Sequence, residues 1–324
     1  MPGVGLIASQ NGLGHARRLA HFSAGLHDLG YEVFLYLSTT QIRTLIEEIR
    51  TICPKTIVRD IKLYGLDGPT FQIDQVVEIP EELEFELKKL DFVISDNVTW
   101  PGRALDSFIL MGHFSWIDYW EADCPDKVRP LIQQALGETL QISNWFLPKD
   151  FSHVPGEMKR IKIVEIPLSR YGSDGDSSRS RSRSRTEVWY SKGTTGLNWI
   201  HLNGLENKLR QCGLETKTRE THRLNDSELP ALVLGRPGLG TIRDCLALGV
   251  PFLPCWDGED PELSRNQNTM KRIGLIPSAW EGNQQPNLEI LLDFSKDEKI
   301  QDRIKEYWFE NSAPIVRILS LMGF

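Results

Sequence analysis

The sequence has few cysteines, no long uncharged run and no basic leader. Each of these features excludes a class of protein. Its five cysteines are an odd number without CxxC spacing, so neither a disulfide framework nor a zinc site is indicated. No uncharged stretch is long enough to cross a bilayer, and no basic segment precedes an apolar one at the start. We therefore expect a cytoplasmic protein.

Positive charge is also lacking overall. The formal net charge is -7, which gives no general attraction to nucleic acid or anionic lipid, so we expect no nucleic-acid partner. The composition is otherwise ordinary for a globular chain, with 40% hydrophobic and 25% charged residues. A length of 324 residues is enough for two α/β domains, each with its own core.

Apolar runs of strand length alternate with segments of helical periodicity along the whole chain. This alternation predicts parallel sheets covered by helices on both faces, with ligands bound at the carboxyl ends of the strands. Strands are predicted at residues 4–9, 32–37, 56–63, 92–95, 108–114 and 187–190. The predicted fold class is α/β, with two doubly wound, Rossmann-like domains facing a cleft.

A polar segment separates the two halves. Residues 172–185 read GSDGDSSRSRSRSR and contain almost no apolar side chain, which is typical of a solvated linker or disordered loop. RNA binding by this run is disfavoured, because the chain is acidic and carries no aromatic-basic recognition motif. We predict an N-terminal domain over 1–168, a linker over 169–186, a second domain over 187–299 and a C-terminal helix over 300–324 that packs back across the junction.

The loop after the first predicted strand is a candidate binding site. Asn11, Gly12 and Gly14 stand before His15 at the start of a helix, where glycine allows close approach of a ligand and the helix end favours negative charge. The dinucleotide fingerprint GxGxxG would need glycine at Arg17. NAD binding is therefore not predicted.

His15 is a candidate general base, because a neutral imidazole can take a proton from an attacking hydroxyl. The alternative is a histidine that caps its own helix. Asp96, at the end of another predicted strand, can hold the imidazole in the required tautomer, or else cap the following helix. Asp118 is a weaker candidate for the same partner role.

The second half has a glycine-containing turn between an apolar strand and a helix. Backbone N–H groups at Gly240 and Thr241, together with the Thr241 hydroxyl, suit a pyrophosphate, and Arg236 can neutralise it. Gly238 belongs to the same turn, and Asp244 lies one helical turn further on, where it can accept hydrogen bonds from ribose hydroxyls. The alternative is a tight turn without a ligand.

A further loop follows the first strand of the second half. Gly193, Thr194 and Thr195 lie in SKGTTG, on the predicted ligand edge of the same sheet. The spacing is not that of a Walker A loop, which argues against a nucleotide-triphosphate kinase. Two such loops in one domain favour a nucleotide site.

These motifs together resemble the GT-B glycosyltransferase superfamily. GLGHARR is similar to the opening loop of the sugar-nucleotide hydrolases of pseudaminic acid synthesis, and DNVTWPGRALD to the glycosyltransferase-like region of plant arabinokinases. RPGLGTIRDCLALGVPFLPCW is similar to the donor-binding segment of the peptidoglycan N-acetylglucosamine transferase. The resemblance implies that His15 is the catalytic base and that Asp96 is its partner.

The resemblance also implies a donor site, with departures from the pattern of the family. Asp244 stands where the family usually has the glutamate that holds the ribose, and Asn266 matches its asparagine. Glu262 and Leu263 replace the usual Asp-Gln pair, so the resemblance does not imply which sugar the donor carries.

The implied function is the transfer of a sugar, with inversion and without a metal, from a nucleotide-diphosphate sugar such as a UDP-sugar to an acceptor hydroxyl or amine. The sugar nucleotide is the donor substrate, and no cofactor or metal is predicted. A sugar-nucleotide hydrolase that uses water at the same site and a non-catalytic sugar-nucleotide-binding protein remain as alternatives. The apolar face of the last helix is predicted to pack on the domain junction, with peripheral membrane contact as the alternative.

Overall fold

The computed structural model of the chain divides into two compact units. The first consists of Met1–Tyr171 and Ala313–Phe324, and the second of Gly172–Ser312. The described residues are 1–10, 13–61, 64–67, 72–105, 108–112, 129–130, 133, 136–137, 142, 144–153, 161–171, 182–184, 186–191, 204–218, 228–256 and 260–324. At residues 64–67, 72–78, 103–104, 182–183 and 228 the description covers the backbone alone.

Strands and helices alternate through the described part of the chain. Up to residue 170 they are β1 (Gly3–Ala8), α1 (Leu13–Asp28), β2 (Glu32–Leu37), α2 (Thr39–Ile52), β3 (Ile57–Asp60), β4 (Tyr64–Asp67), β5 (Gln72–Glu78), α3 (Glu81–Leu87), β6 (Phe92–Asp96), α4 (Pro101–Ala104), β7 (Ile109–Met111), β8 (Asn144–Pro148), β9 (Lys162–Ile166) and β10 (Leu168–Arg170). The rest are β11 (Ser182–Arg183), β12 (Glu187–Ser191), α5 (Leu205–Gln211), β13 (Glu215–Thr218), β14 (Glu228–Leu229), β15 (Leu232–Gly235), α6 (Leu239–Leu248), β16 (Phe252–Pro254), α7 (Pro261–Arg272), α8 (Leu288–Lys296), α9 (Glu298–Asn311), β17 (Ser312–Pro314) and α10 (Ile315–Met322).

The first unit contains a seven-stranded parallel sheet in the order β3-β2-β1-β6-β7-β8-β9. The chain moves outward from β1 to β3 on one side and from β6 to β9 on the other, which is the doubly wound order of a Rossmann fold. β1 pairs with both β2 and β6, so the strand order reverses there. Ligands of such sheets bind at this switch point, beyond the carboxyl ends of β1 and β6.

Helix α1 covers the sheet with one apolar face. Its buried residues are Ala16, Leu19, Ala20, Phe22, Ser23, Gly25 and Leu26. Each fully buried leucine contributes about 1.5–3 kcal/mol of transfer free energy. Helix α10 packs on α1 near Gly25, where an added Cβ would lie 2.7 Å from Cγ2 of Ile315. The chain end is therefore part of the core of the first unit.

The second unit contains a four-stranded parallel sheet in the order β13-β12-β15-β16. β12 pairs with β13 on one side and β15 on the other, so this order also reverses at its first strand. β12, β15 and β16 are buried, as parallel strands covered on both faces require, whereas the edge strand β13 is polar and largely exposed. β12 and β15 are the neighbouring strands at this reversal, and they end at Ser191 and Gly235.

Two differences from the sequence predictions concern connecting segments. The predicted linker over 169–186 overlaps β10 and contains β11, which pairs with β14, because backbone hydrogen bonding does not depend on apolar side chains. The predicted single helix over 300–324 is two helices, α9 and α10, separated by β17. Pro314 lacks a backbone N–H and disfavours the α conformation before it, and β17 pairs with β10. Among the described residues, no helix is long and apolar enough to span a membrane.

Candidate active site

The start of the loop after β1 is fixed from two sides at the switch point of the first sheet. The backbone N–H of Ser9 donates to the carbonyl of Asp96 at 3.2 Å, which ties the end of β1 to the end of β6. Nε2 of Gln41 donates to the carbonyl of Ser9 at 2.7 Å. Gln41 is buried and forms a capping box with Ser38 at the start of α2, so its amide is held in place.

His15, Asp96 and Arg18 form a compact cluster at this point. Nδ1 of His15 lies 3.1 Å from Oδ1 of Asp96. Arg18 donates from Nε to Oδ2 of Asp96 at 2.7 Å and from Nη2 to Oδ1 at 2.6 Å. Asp96 is fully buried, and the side chains of His15 and Arg18 are each 13% exposed. The cluster is therefore poorly screened by water.

The charge of Asp96 is stabilised by its neighbours. Burial alone would raise the pKa of Asp96, but the Arg18 guanidinium, followed by His15, lowers this pKa well below its ordinary value. An ionised carboxylate can only accept hydrogen bonds. A proton on Nδ1 of His15 would be donated to it, which leaves the lone pair of a neutral imidazole on Nε2.

Neither His15 nor Asp96 acts as a helix cap. Helix α1 begins at Leu13, so His15 lies within its first turn with Nδ1 toward the carboxylate. The N-cap of α4 is Trp100, four residues after Asp96. The structure thus brings together the two side chains predicted to pair.

Arg18 is the member of the cluster that the sequence analysis missed. It follows His15 by three residues on α1, so the two side chains share one face of the helix. Arg17 points elsewhere, with Nε donating to both carboxylate oxygens of Glu48 on α2 at 2.8 and 3.0 Å. The spacing of three residues between His15 and Arg18 was the sequence signal that could have indicated that Arg18 belongs to the cluster.

In the second unit, the turn from β15 into α6 carries the predicted donor-binding residues. Gly238 is the N-cap of α6, with Gly240 and Thr241 in its first turn, where backbone N–H groups lack partners within the helix. Nη2 of Arg236 donates to Oδ2 of Asp260 at 2.6 Å. Burial raises the pKa of Asp260, Glu262 adds to the rise and Arg236 opposes it.

Asp244 and Asn266 both have protein partners. Oδ1 of Asp244 accepts from Nε of Arg243 at 3.1 Å and also from Nη2 of the same arginine. Asn266 is 1% exposed, and its Nδ2 donates to the carbonyl of Pro237 at 2.8 Å. The amide of Asn266 therefore holds the turn that leads into α6.

The glycines of the two turns leave open space. A Cβ added at Gly14, Gly238 or Gly240 would meet no atom of the described residues within 4 Å, and none of the three has a positive φ. Neither backbone conformation nor packing therefore requires glycine there, whereas the approach of a ligand to the backbone would.

Several predicted residues cannot be placed. The predicted site residues outside the described part of the chain are Asn11, Gly12, Asp118, Gly193, Thr194 and Thr195. Within the described part, no three His, Cys, Asp or Glu side chains cluster so as to hold a metal ion.

The chain is similar in structure to known glycosyltransferases. Phytolacca americana UGT2, complexed with UDP-2-fluoro-glucose and pterostilbene, aligns with a TM-score of 0.66 at 14% identity, covering 100% of this chain and 99% of that one. LpCGTa in complex with UDP gives a TM-score of 0.66 at 13% identity over 100% and 99%. SsfS6, a glycosyltransferase of Streptomyces sp. SF2575, gives 0.57 at 14% over 100% of both chains.

The likeness confirms the predicted fold, which is of the GT-B type with two Rossmann-like units. No protein-family model matches the chain, and no curated protein matches it in sequence.

Proposed function

We propose that this protein is a glycosyltransferase that moves a sugar from a nucleotide-diphosphate sugar to an acceptor hydroxyl or amine in the cytoplasm. The observation that carries the proposal is the pairing of His15 with the buried Asp96 at the switch point of the first sheet. The fold supports it, since solved structures of the same fold are described as glycosyltransferases and one of them holds a UDP-sugar analogue.

His15 is the proposed general base. With its proton on Nδ1 and donated to Asp96, the imidazole takes up the acceptor proton through Nε2. The acceptor oxygen or nitrogen then bonds to the anomeric carbon while the bond from that carbon to the diphosphate oxygen breaks. One displacement of this kind inverts the anomeric centre, and the nucleoside diphosphate leaves with the electron pair.

The second unit is the proposed donor site. Backbone N–H groups at Gly240 and Thr241, the Thr241 hydroxyl and Arg236 would stabilise the departing diphosphate, so that no divalent ion is required. The open space at Gly238 and Gly240 supports this assignment, because a phosphate could approach the backbone there. Gly193, Thr194 and Thr195 are proposed as a second phosphate-facing loop.

Asp244 is the proposed ribose ligand, and Asn266 is proposed to act on the donor through the turn it holds. Both bonds from Arg243 go to Oδ1 of Asp244, so Oδ2 is the oxygen that would accept from a ribose hydroxyl. Asn266 fixes the carbonyl of Pro237, two residues before α6, and so sets the position of the proposed diphosphate donors.

The test is thermal unfolding of the full chain with UDP-, dTDP-, GDP- and CMP-sugars. A ligand that binds the native state at about 100 times its dissociation constant stabilises it by about 2.7 kcal/mol. We expect one nucleotide class to raise the Tm, the rise to be lost in Asp244→Ala and to persist in His15→Ala. Asp293→Ala, an exposed carboxylate of the same unit, is the matched control and should keep the full rise.

Product analysis completes the test. The donor identified by unfolding is incubated with and without a panel of acceptors, and release of nucleoside diphosphate is followed by chromatography. Release that requires an acceptor and is lost in His15→Ala supports transfer. Free sugar formed without an acceptor would identify a hydrolase, and binding without release would identify a non-catalytic binding protein.

A further inference from the structure

Arg18 lies in the candidate active site without a part in the proposed reaction. Its Nε and Nη2 donate to the two oxygens of Asp96 at 2.7 and 2.6 Å, the bidentate geometry in which arginine binds a carboxylate most strongly. Asp96 is fully buried and the Arg18 side chain is 13% exposed. The ion pair between Arg18 and Asp96 is therefore almost entirely buried, next to the proposed base His15.

A buried carboxylate stays ionised only if neighbouring positive charges or hydrogen-bond donors stabilise it, because an isolated charge away from water is strongly unfavourable. In the described part of the chain, the side chains within hydrogen-bond distance of the Asp96 carboxylate are those of His15 and Arg18. Arginine is always protonated, whereas histidine becomes charged only by taking up a proton. Without Arg18, the charge that Asp96 requires would have to come from His15.

We propose that Arg18 is a positioning residue that keeps His15 neutral, with its single ring proton on Nδ1. The role of this neutral His15 as a general base rests on the proposed function. An imidazolium carries protons on both ring nitrogens and cannot accept another. Arg18 supplies the balancing charge instead. His15 then retains the Nε2 lone pair that a general base needs.

A second arrangement of protons is possible at Nδ1, since Nη2 of Arg18 lies 3.1 Å from it. In that arrangement Nη2 donates to Nδ1, and the ring proton sits on Nε2. The Nδ1 lone pair would then face Oδ1 of the ionised Asp96 at 3.1 Å. Two hydrogen-bond acceptors would lie opposite each other with no proton between them, which is unfavourable. A proton on Nδ1 instead makes a charge-assisted hydrogen bond to Oδ1, so the geometry favours this tautomer.

The test is nitrogen NMR of the histidine rings in the full-length, ¹⁵N-labelled protein near neutral pH. The signals of His15 are identified by their loss in His15→Gln. In the wild type we expect the widely separated nitrogen shifts of a neutral ring protonated on Nδ1. In Arg18→Gln we expect this separation to collapse, as both nitrogens become protonated, and Arg18→Lys, which keeps the charge, should preserve it.

Two further variants control the experiment. Arg17→Gln removes the neighbouring cation that pairs with Glu48 and should leave the His15 signals unchanged. Arg18→Gln combined with Asp96→Asn removes both charges, so His15 should again be neutral. If the single variant does not fold, the tautomer of the wild type and the spectrum of the double variant still test the proposal.

Three results would overturn the proposal: a wild-type ring protonated on Nε2, a neutral His15 in folded Arg18→Gln, or an imidazolium in the double variant. The measurement contains no sugar nucleotide. Failure of donor turnover therefore refutes the proposed function without affecting this result, and an unexpected NMR spectrum refutes the role of Arg18 without affecting the proposed function.

Discussion

Asp96→Asn removes a buried negative charge while nearly preserving the size of the side chain. The amide can accept from Arg18 or His15 through its one oxygen, but its NH2 group then faces another donor. Arg18 is left with an uncompensated charge. Removing one partner of a buried ion pair destabilises a protein by about 3–5 kcal/mol. Because the Arg18 side chain is 13% exposed and can turn toward water, we expect the lower value, about 3 kcal/mol.

The assay is urea unfolding of the full chain, in which the transition of the first unit is compared between variants. With a denaturant dependence of about 2 kcal/mol/M, a loss of about 3 kcal/mol lowers the midpoint by about 1.5 M. Glu48→Gln is the control, since it breaks the ion pair with Arg17 on the same helix, whose side chains are 18% and 30% exposed. That more exposed pair should contribute less than about 1 kcal/mol.

Equal midpoint shifts in the two variants would refute the reasoning, because a buried ion pair and a partly exposed one would then contribute equally to stability. A large shift in Asp96→Asn alone would support the burial and ionisation of the carboxylate. The measurement concerns stability only, so it tests the geometry of the site independently of any reaction.

Three further predictions follow from particular contacts. The lowered pKa of Asp96 means that its contribution to stability is complete above the ordinary aspartate pKa and lost as the pH falls; the urea midpoint of the wild type should therefore drop below about pH 4, and that of Asp96→Asn should drop less. Gly25→Ala places a Cβ 2.7 Å from Ile315, so overpacking should outweigh the helix-propensity gain and destabilise by about 1 kcal/mol in calorimetry. Asn266→Ala leaves the carbonyl of Pro237 without its buried donor, which should destabilise by about 1–3 kcal/mol and reduce the donor-induced rise in Tm.

The sequence predicted the local elements well because hydrophobic periodicity is a local property. β1, β2 and β6 lie where short apolar runs predicted them, and α1 buries the residues that recur at helical spacing. Strand order is not local, and nothing within either segment states that β1 and β6 are neighbours. The prediction that Asp96 partners His15 rested on both strands ending at one edge of the sheet and on the family resemblance.

The role of Arg18 was not predicted from the sequence. Two consecutive arginines follow the histidine, and composition does not distinguish them. The phase of the helix does, because residues three apart share a face and residues two apart do not, so Arg18 turns to Asp96 and Arg17 to Glu48. Pro314 was the sequence signal for the break between α9 and α10. No signal predicted that β17, which lies at this break, pairs with β10, more than a hundred residues earlier in the chain.

The two candidate sites occupy the same topological position in their sheets but are held in different ways. In the first unit a buried ion pair fixes the position, so substitutions at Arg18 or Asp96 should act through charge and depend on pH. In the second unit the neutral amide of Asn266 holds the turn at Pro237, so substitution of Asn266 should act through backbone geometry and vary little with pH. A pH-dependent loss of donor binding in Asn266→Ala, at constant fold, would contradict this division between the units.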